Sequence, residues 1–193
     1  MNHSQGELLA AVNRVVWEFE LLGIDYLIGG SVASSIYGEP RHTVDADLVA
    51  SVLGKHAKPL VDSLADEFYV NLDAIFDAVK NQGSFNLIHL ETMSKVDVFV
   101  SWRTPFGRSQ FLRKQKLAVG DQTPSLFFAS PEDIILAKLE WFRKGGCVSD
   151  RQWRDILGIL KVQAERLDSD YLVLWAKELE VGDLLNKAFQ DLK

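Results

Sequence analysis

The chain has 193 residues, of which 47% are apolar and 25% are charged, a balance typical of a globular protein with a substantial core. Its formal net charge of −6 excludes a surface that attracts nucleic acid everywhere, although it permits a local basic patch. One cysteine, Cys147, excludes a disulfide framework, and the lack of a signal-peptide pattern or a long apolar run predicts a cytoplasmic protein with no membrane contact.

The sequence pattern over residues 1–128 predicts helices that alternate with short strands. Apolar residues recur at helical spacing in some stretches, whereas strict alternation or short apolar runs mark others as strands. The predicted helices cover 7–22, 31–37, 58–68 and 72–80, and the predicted strands cover 25–28, 43–51, 85–90 and 95–102. We expect the last two strands to pair as a hairpin.

A Gly-Gly-Ser turn follows the first predicted strand. Gly29 and Gly30 turn the chain, and Ser31 can cap the helix that follows. Such a turn exposes backbone N–H groups and the positive end of a helix dipole, so a phosphate group can approach closely. Arg41, which precedes the next strand, is a second candidate for phosphate binding. The alternatives are an ordinary tight turn and a surface arginine.

Two aspartates share one face of the strand at 43–51. Val44, Ala46 and Leu48 occupy one face of the alternating pattern, and Asp45 and Asp47 occupy the other. Like charges this close are unfavourable unless a positive group lies between them. A hard divalent cation such as Mg²⁺ meets that need, because it prefers oxygen ligands and usually binds one or two carboxylates together with substrate phosphates.

A third carboxylate comes from the strand at 95–102. Asp97 points away from the apolar face of that strand, and it would join Asp45 and Asp47 if the two strands were neighbours, about 4.8 Å apart. Three carboxylates can hold two metal ions. The pattern Asp-x-Asp is common, however, and the second copy at Asp168 and Asp170 predicts only a helix cap.

The composition changes near Ser130, after which the sequence predicts only helices. Ser130-Pro131 begins one helix with a serine cap and a proline in the first position, and Ser149 begins another. Two further helices are predicted from Asp168 and Leu184. The sequence therefore predicts a core at 1–128 and a helical region at 129–193 that packs on it.

Lys138 lies in the middle of an apolar helix face. A helical projection surrounds it with Ile134, Ile135, Trp141 and Phe142. A buried ammonium is unfavourable without a counter-charge, which a triphosphate or the acidic cluster would supply. The alternative is that the side chain extends along the apolar surface to reach solvent.

These motifs in this order resemble the DNA polymerase β-like nucleotidyltransferase superfamily. The resemblance is carried by Gly-Gly-Ser, a short helix, Arg-x-Thr-x-Asp-x-Asp and a later strand with one aspartate. It is closer to the small bacterial nucleotidyltransferases of the abortive-infection, type IV toxin–antitoxin group, and it extends to SPEDIILAKLEW and SDRQWRDILGILK. It implies an α+β fold: a minimal core, with a mixed twisted sheet flanked by helices, and a helical C-terminal region.

The resemblance also implies site residues. Residues 29–31 would bind the phosphates of a nucleoside triphosphate (NTP) such as ATP, and Asp45 and Asp47 would bind Mg²⁺ or Mn²⁺. Asp97 would be a third metal ligand or a general base. Lys138 matches a lysine that lies near the phosphates, and Asp155 matches a later acidic motif, although Asp155 could equally pair with Arg151 or Arg154.

The expected activity is transfer of a nucleoside monophosphate (NMP) to an acceptor that the sequence does not identify. Residues 102–116 carry five basic side chains, no acid and three aromatic rings, so they could guide RNA, or they could be a solvated edge hairpin. Small molecules and proteins are the other acceptor classes. The remaining hypotheses are a regulatory module that binds nucleotide without turnover, and a toxin paired with a cognate antitoxin.

Overall fold

A computed structural model describes residues 3–119 and 125–192. Its helices are α1 His3–Leu21, α2 Gly30–Tyr37, α3 Gly54–Leu64, α4 Leu72–Asn81, α5 Pro105–Arg113, α6 Pro131–Lys144, α7 Asp150–Gln163, α8 Ser169–Glu178 and α9 Gly182–Asp191. Its strands are β1 Tyr26–Ile28, β2 Asp45–Ala50, β3 Phe68–Tyr69, β4 Ser84–His89, β5 Lys95–Phe99, β6 Gln115–Ala118 and β7 Ser125–Phe128. None of the helices within the described ranges has the length and hydropathy that a bilayer crossing requires.

The chain divides into two compact units. The first takes the chain up to Gly29 together with His42–Phe128, and the second takes Gly30–Arg41 together with the chain from Ala129 onward. The larger part of the second unit begins at Ala129, and the domain boundary after residue 128 stays a prediction. The segment Gly30–Arg41 belongs to that helical unit, although the sequence predicts it within the core.

The first unit contains a mixed sheet with the strand order β3-β4-β5-β2-β1-β7-β6. The neighbours β2–β5 and β1–β7 run parallel, and the other pairs run antiparallel. The alternation predicted for β2 is confirmed from Asp45 to Ala50, because Ala46, Leu48 and Ala50 are fully buried while the residues between them are partly exposed. Val44, predicted on the buried face, lies before the strand and is 64% exposed. Helices α1 and α4 contact this sheet, which gives the mixed α+β fold that the sequence predicts.

Two element predictions in the first unit are wrong. The helix predicted at 58–68 begins at Gly54 and ends at Leu64, so that Pro59 lies inside it, and Phe68 starts β3 instead. Its start lacks a serine or aspartate cap, and the ring Nδ1 of His56 instead accepts the backbone N–H of Leu53, the residue before the helix, at 3.1 Å.

The segment at 102–116 is also not a hairpin by itself. Most of it forms α5, which Thr104 caps by accepting the backbone N–H of Gly107 at 2.9 Å, with Pro105 in the first position. The chain then enters β6, which pairs with β7 at one edge of the sheet.

The second unit is helical. The predicted caps at Ser130, Ser149 and Asp168 are confirmed, since each side chain accepts a backbone N–H from the first turn of its helix. Helices α2 and α7 approach each other closely at Gly38, the residue that follows α2. A Cβ atom at Gly38 would lie 2.9 Å from the backbone nitrogen of Ile159, so this approach requires glycine.

Candidate active site

Three strands of the first unit bring polar side chains onto one face of the sheet. The parallel register of β2 and β5 pairs Asp47 with Asp97 and Asp45 with Lys95. The antiparallel register of β5 and β4 then pairs Asp97 with Asn86. Asp47, Asp97 and Asn86 therefore form one row across three strands. The strands that carry Asp47 and Asp97 are neighbours, which was the condition for the predicted cluster.

Lys95 supplies a positive charge inside this cluster. It precedes Asp97 by two residues on β5, so both side chains project from the same face, and its Nζ lies 2.7 Å from Asp97 Oδ2. The hydrogen bond to Asp97, supported by the charges of Asp97, Asp45 and Asp47, raises the pKa of Lys95 against the opposing effect of burial. The lysine therefore stays protonated among the three carboxylates.

Two further contacts orient the acidic strand. The hydroxyl of Thr43, which is buried, lies 2.9 Å from Asp45 Oδ1 and 3.0 Å from the Asp45 carbonyl oxygen. The backbone N–H of Gly29 donates to the carbonyl oxygen of Asp47 at 2.8 Å. The first glycine of the turn is thus fixed directly to the strand that carries the aspartates.

The donor set suits a divalent cation bound by two carboxylates. Asp45 and Asp47 are partly exposed and share a face, and Mg²⁺ usually takes one or two carboxylates and completes its shell with water and phosphate. Among the described residues, no group of three or more His, Cys, Asp or Glu side chains is arranged to hold a metal. The predicted cluster of three metal-binding aspartates therefore stays a prediction, and Asp97 is instead paired with Lys95.

The turn residues in the second unit begin helix α2. Gly30 has φ +53°, a left-handed conformation that glycine adopts without strain. Its carbonyl oxygen accepts the Ser34 hydroxyl at 2.7 Å, and the carbonyl oxygen of Ser31 accepts the Ser35 hydroxyl at 3.0 Å. The side chain of Ser31 contacts the guanidinium of Arg41 through its Oγ.

Asp155 joins the two predicted phosphate-binding cations of the second unit. Its carboxylate lies 2.9 Å and 3.1 Å from Arg41 Nε and Nη2, and 2.8 Å from Lys138 Nζ. All three side chains are mostly buried; Asp155 is 7% exposed. The predicted alternative, in which Asp155 pairs with Arg151 or Arg154, is wrong because α7 turns the carboxylate towards α2 and α6.

Asp155 is the counter-charge of the buried Lys138 ammonium. Burial raises the pKa of Asp155, but the hydrogen bonds from Arg41 and Lys138 outweigh burial, so the pKa lies below its usual value. The carboxylate is therefore ionised at neutral pH. Two cations and one anion give these three groups a formal net charge of +1.

The basic segment at 102–116 offers less aromatic surface than the sequence suggests. Phe106 is buried, so its ring is not available to stack on a base. Lys114 pairs with Asp25, and its Nζ lies 4.3 Å from the ring centroid of Phe127. Phe106 and Lys114 therefore pack within the first unit and are not available to bind a nucleic-acid strand.

Sequence analysis missed three participants. Lys95 and Asn86 belong to no sequence motif. They lie beside the aspartates only because of the way β5 pairs with β2 and β4. A signal for Lys95 was nevertheless present, because it precedes Asp97 by two residues and must share its face. Thr43 stands in the quoted Arg-x-Thr-x-Asp-x-Asp motif, but only the structure gives it a bonding role.

Comparison with solved structures identifies the fold. An antigenic nucleotidyltransferase-like protein from Paracoccidioides brasiliensis matches with a TM-score of 0.54 at 20% identity, covering 95% of this chain and 93% of that chain. The antibiotic-resistance factor ANT(2'')-Ia matches with a TM-score of 0.56 at 15% identity, over 99% and 100% of the two chains. The lincosamide antibiotic adenylyltransferase LnuA, bound to lincomycin, matches with a TM-score of 0.50 at 13% identity, over 84% and 98%.

No protein-family model matches the sequence, and no curated protein matches it. At identities of 13–20%, the structural likeness shows the fold and not the reaction. The chain therefore has the fold of nucleotidyltransferase-like proteins, with a mixed sheet flanked by helices.

Proposed function

We propose that this protein is a metal-dependent nucleotidyltransferase that moves an NMP from an NTP to an acceptor. The observation that carries the proposal is the strand register that sets Asp47 beside Asp97, with Asp45 on the same face, in a nucleotidyltransferase-like fold. The pattern Asp-x-Asp alone could arise by chance on one strand. The alignment of a third aspartate on a neighbouring strand is a separate observation that supports a shared role.

In this reaction an acceptor oxygen attacks the α-phosphorus of the NTP. The new oxygen–phosphorus bond forms as the bond to the bridging oxygen breaks, and pyrophosphate leaves with that electron pair. The acceptor proton passes to a carboxylate, for which Asp97 is our first candidate. Catalysis of this kind depends mainly on alignment and on charge stabilisation.

The remaining residues would bind and hold the nucleotide. A bound Mg²⁺ or Mn²⁺ would stabilise negative charge on the phosphoryl oxygens, and Asp45 and Asp47 would hold it. Gly30 and Ser31 would donate to phosphate oxygens at the start of α2, while Gly29, whose N–H is bonded to the Asp47 carbonyl oxygen, would hold the turn beside the acidic strand. Arg41 and Lys138 would add positive charge, with Asp155 fixing both of their side chains.

The structural neighbours suggest which substrates to try first. One of them is an adenylyltransferase bound to lincomycin, so we take ATP as the first donor and hydroxyl-bearing small molecules as the first acceptors. RNA and protein remain as the other acceptor classes. Phe106 is buried in the segment once expected to stack on RNA, and we therefore place RNA second.

The test is transfer of label from each α-³²P-labelled NTP, with Mg²⁺ or Mn²⁺. Lincomycin, total RNA and a cell extract serve as acceptors, and products are separated as small molecules, RNA and protein. We expect Asp47→Asn to reduce transfer at least ~100-fold, the scale of a lost charge-stabilising group. Asp77→Asn, which neutralises an exposed aspartate on α4, should leave the rate unchanged. Absence of transfer to every acceptor, or equal transfer by Asp47→Asn, would contradict the proposal.

The second candidate is a regulatory module that binds nucleotide without turnover. The pairing of Lys95 with Asp97 favours it, because an ion pair occupies one of the three acids that catalysis would use. Saturable ATP binding without transfer under any of these conditions would support this hypothesis.

A toxin role with a cognate antitoxin is a prediction from the resemblance alone. Growth arrest on overexpression that Asp45→Asn relieves would support it.

A further inference from the structure

The carboxylate face of the first unit already contains a cation. Lys95 Nζ lies 2.7 Å from Asp97 Oδ2, and the parallel register places Lys95 directly opposite Asp45. The Asp97 side chain is 21% exposed and that of Lys95 is 40% exposed. At this exposure an ion pair contributes little to folding, so stability alone does not account for a lysine in this position.

Charge balance limits how many metal ions this face can accept. Asp45, Asp47 and Asp97 carry three negative charges, and the ammonium of Lys95 reduces the total to two. One divalent cation neutralises that remainder, whereas two would leave an excess of positive charge. A second metal on Asp97 would also have to compete with the ammonium for Oδ2, because two cations on one oxygen repel each other.

We propose that Lys95 is a resident cation that takes the place of a second metal ion beside Asp97, so that the site binds one divalent cation through Asp45 and Asp47. An ammonium suits this place because it is a compact charge with three donors on a flexible stem. The inference rests on the proposed function, since it concerns the metal of that same site. It assigns Asp97 to proton transfer and not to metal binding.

The experiment counts Mn²⁺ bound per chain, using the electron paramagnetic resonance signal of free Mn²⁺ in titrations of the nucleotide-free protein. We expect one Mn²⁺ for the wild type and two for Lys95→Met, which keeps the length of the side chain and removes its charge. Lys95→Gln should also bind two, whereas Lys95→Arg, which keeps the charge, should bind one. Circular dichroism of each variant shows that the fold is retained.

Four further variants separate a local effect from a general change in charge. Lys58→Met removes the lysine of the exposed Lys58–Asp62 pair on α3, and it should keep the count at one. Asp97→Asn should also keep one Mn²⁺, and the double variant Lys95→Met/Asp97→Asn should return to one. Asp45→Asn should lose the single ion.

The inference is overturned if Lys95→Met and Lys95→Gln bind the same number of Mn²⁺ ions as the wild type, whether that number is none, one or two. It is also overturned if Asp97→Asn alone abolishes Mn²⁺ binding. The transfer assay is independent of this count. A gain of one Mn²⁺ in Lys95→Met, together with no nucleotidyl transfer by the wild type, would support the cation exchange and contradict the proposed function.

Discussion

The carboxylate of Asp155 accepts two hydrogen bonds from the guanidinium of Arg41, one at each oxygen, at 2.9 Å and 3.1 Å. This bidentate geometry is among the strongest arrangements that side chains form. It joins the end of the α2 segment to α7 across 114 residues of sequence. Because Lys138 adds a third donor from α6, one carboxylate connects three parts of the second unit.

The first prediction concerns the stability of this cluster. Asp155→Asn removes the negative charge that Arg41 and Lys138 both contact, and breaking a largely buried ion pair in this way costs about 3–5 kcal/mol. We expect the free energy of unfolding in urea to fall by about that amount. Glu178→Gln, which neutralises an exposed acid on α8 in the same unit, should change it by less than about 0.5 kcal/mol. Equal stability of the two variants would contradict a structural role for the cluster.

The second prediction follows from the lowered pKa of Asp155. The unfolded chain protonates this carboxyl near pH 3.9, while the folded chain keeps it ionised to lower pH. Its contribution is therefore complete above that pH and is lost as pH falls towards the folded pKa. Asp155→Asn cannot titrate at this position. Urea unfolding at pH 7, 5, 4 and 3 should show the difference between wild type and Asp155→Asn shrinking below pH 4; a difference that stays constant to pH 3 would refute this assignment.

The third prediction tests the close approach of α2 to α7. A Cβ on Gly38 would lie 2.9 Å from the Ile159 nitrogen and 3.0 Å from the Gly158 carbonyl carbon, so backbone must move. We expect Gly38→Ala to lower the free energy of unfolding by about 1–3 kcal/mol. Gly182→Ala is the matched control, because its nearest atom is 4.0 Å away and alanine favours the helix. A neutral Gly38→Ala would mean that the two helices can separate freely.

The sequence predicted the faces of the acidic strands but not their neighbours in the sheet. Period-two alternation is local, and it correctly assigned Asp45, Asp47 and Asp97 to the non-core faces of their strands. The pairing of β2 with β5 is not local, so the places of Lys95 and Asn86 had to come from the structure. Local signals alone can indicate a face, but they cannot indicate what lies opposite it.

The division of the chain shows the same limit. The segment 30–41 follows a core strand in sequence, yet it belongs with the C-terminal helices because Gly38 packs on Gly158 and Ile159 and because Arg41 pairs with Asp155. These partners lie more than 100 residues away. The helix at Gly54 was misplaced for another reason, since no serine or aspartate caps its start to mark it in the sequence.

The last prediction concerns Thr43, whose hydroxyl lies 2.9 Å from Asp45 Oδ1. If Asp45 is a metal ligand, this hydrogen bond fixes the orientation of its carboxylate, and removing such a partner typically costs 10–100-fold in metal affinity or activity. Thr43→Val keeps the shape and removes the hydroxyl, whereas Thr43→Ser keeps the hydroxyl and removes a methyl group. We expect Thr43→Val to weaken Mn²⁺ binding and transfer by about 10-fold or more, and Thr43→Ser to stay within about 3-fold of the wild type.

The two variants separate orientation from packing. Thr43 is 8% exposed, so loss of its methyl group in Thr43→Ser would lower stability slightly while preserving the contact to Asp45. Thr43→Val should do the opposite, with nearly unchanged packing and a poorly oriented carboxylate. If stability and Mn²⁺ affinity instead fall together in both variants, Thr43 supports the fold around β2 and does not orient the Asp45 carboxylate.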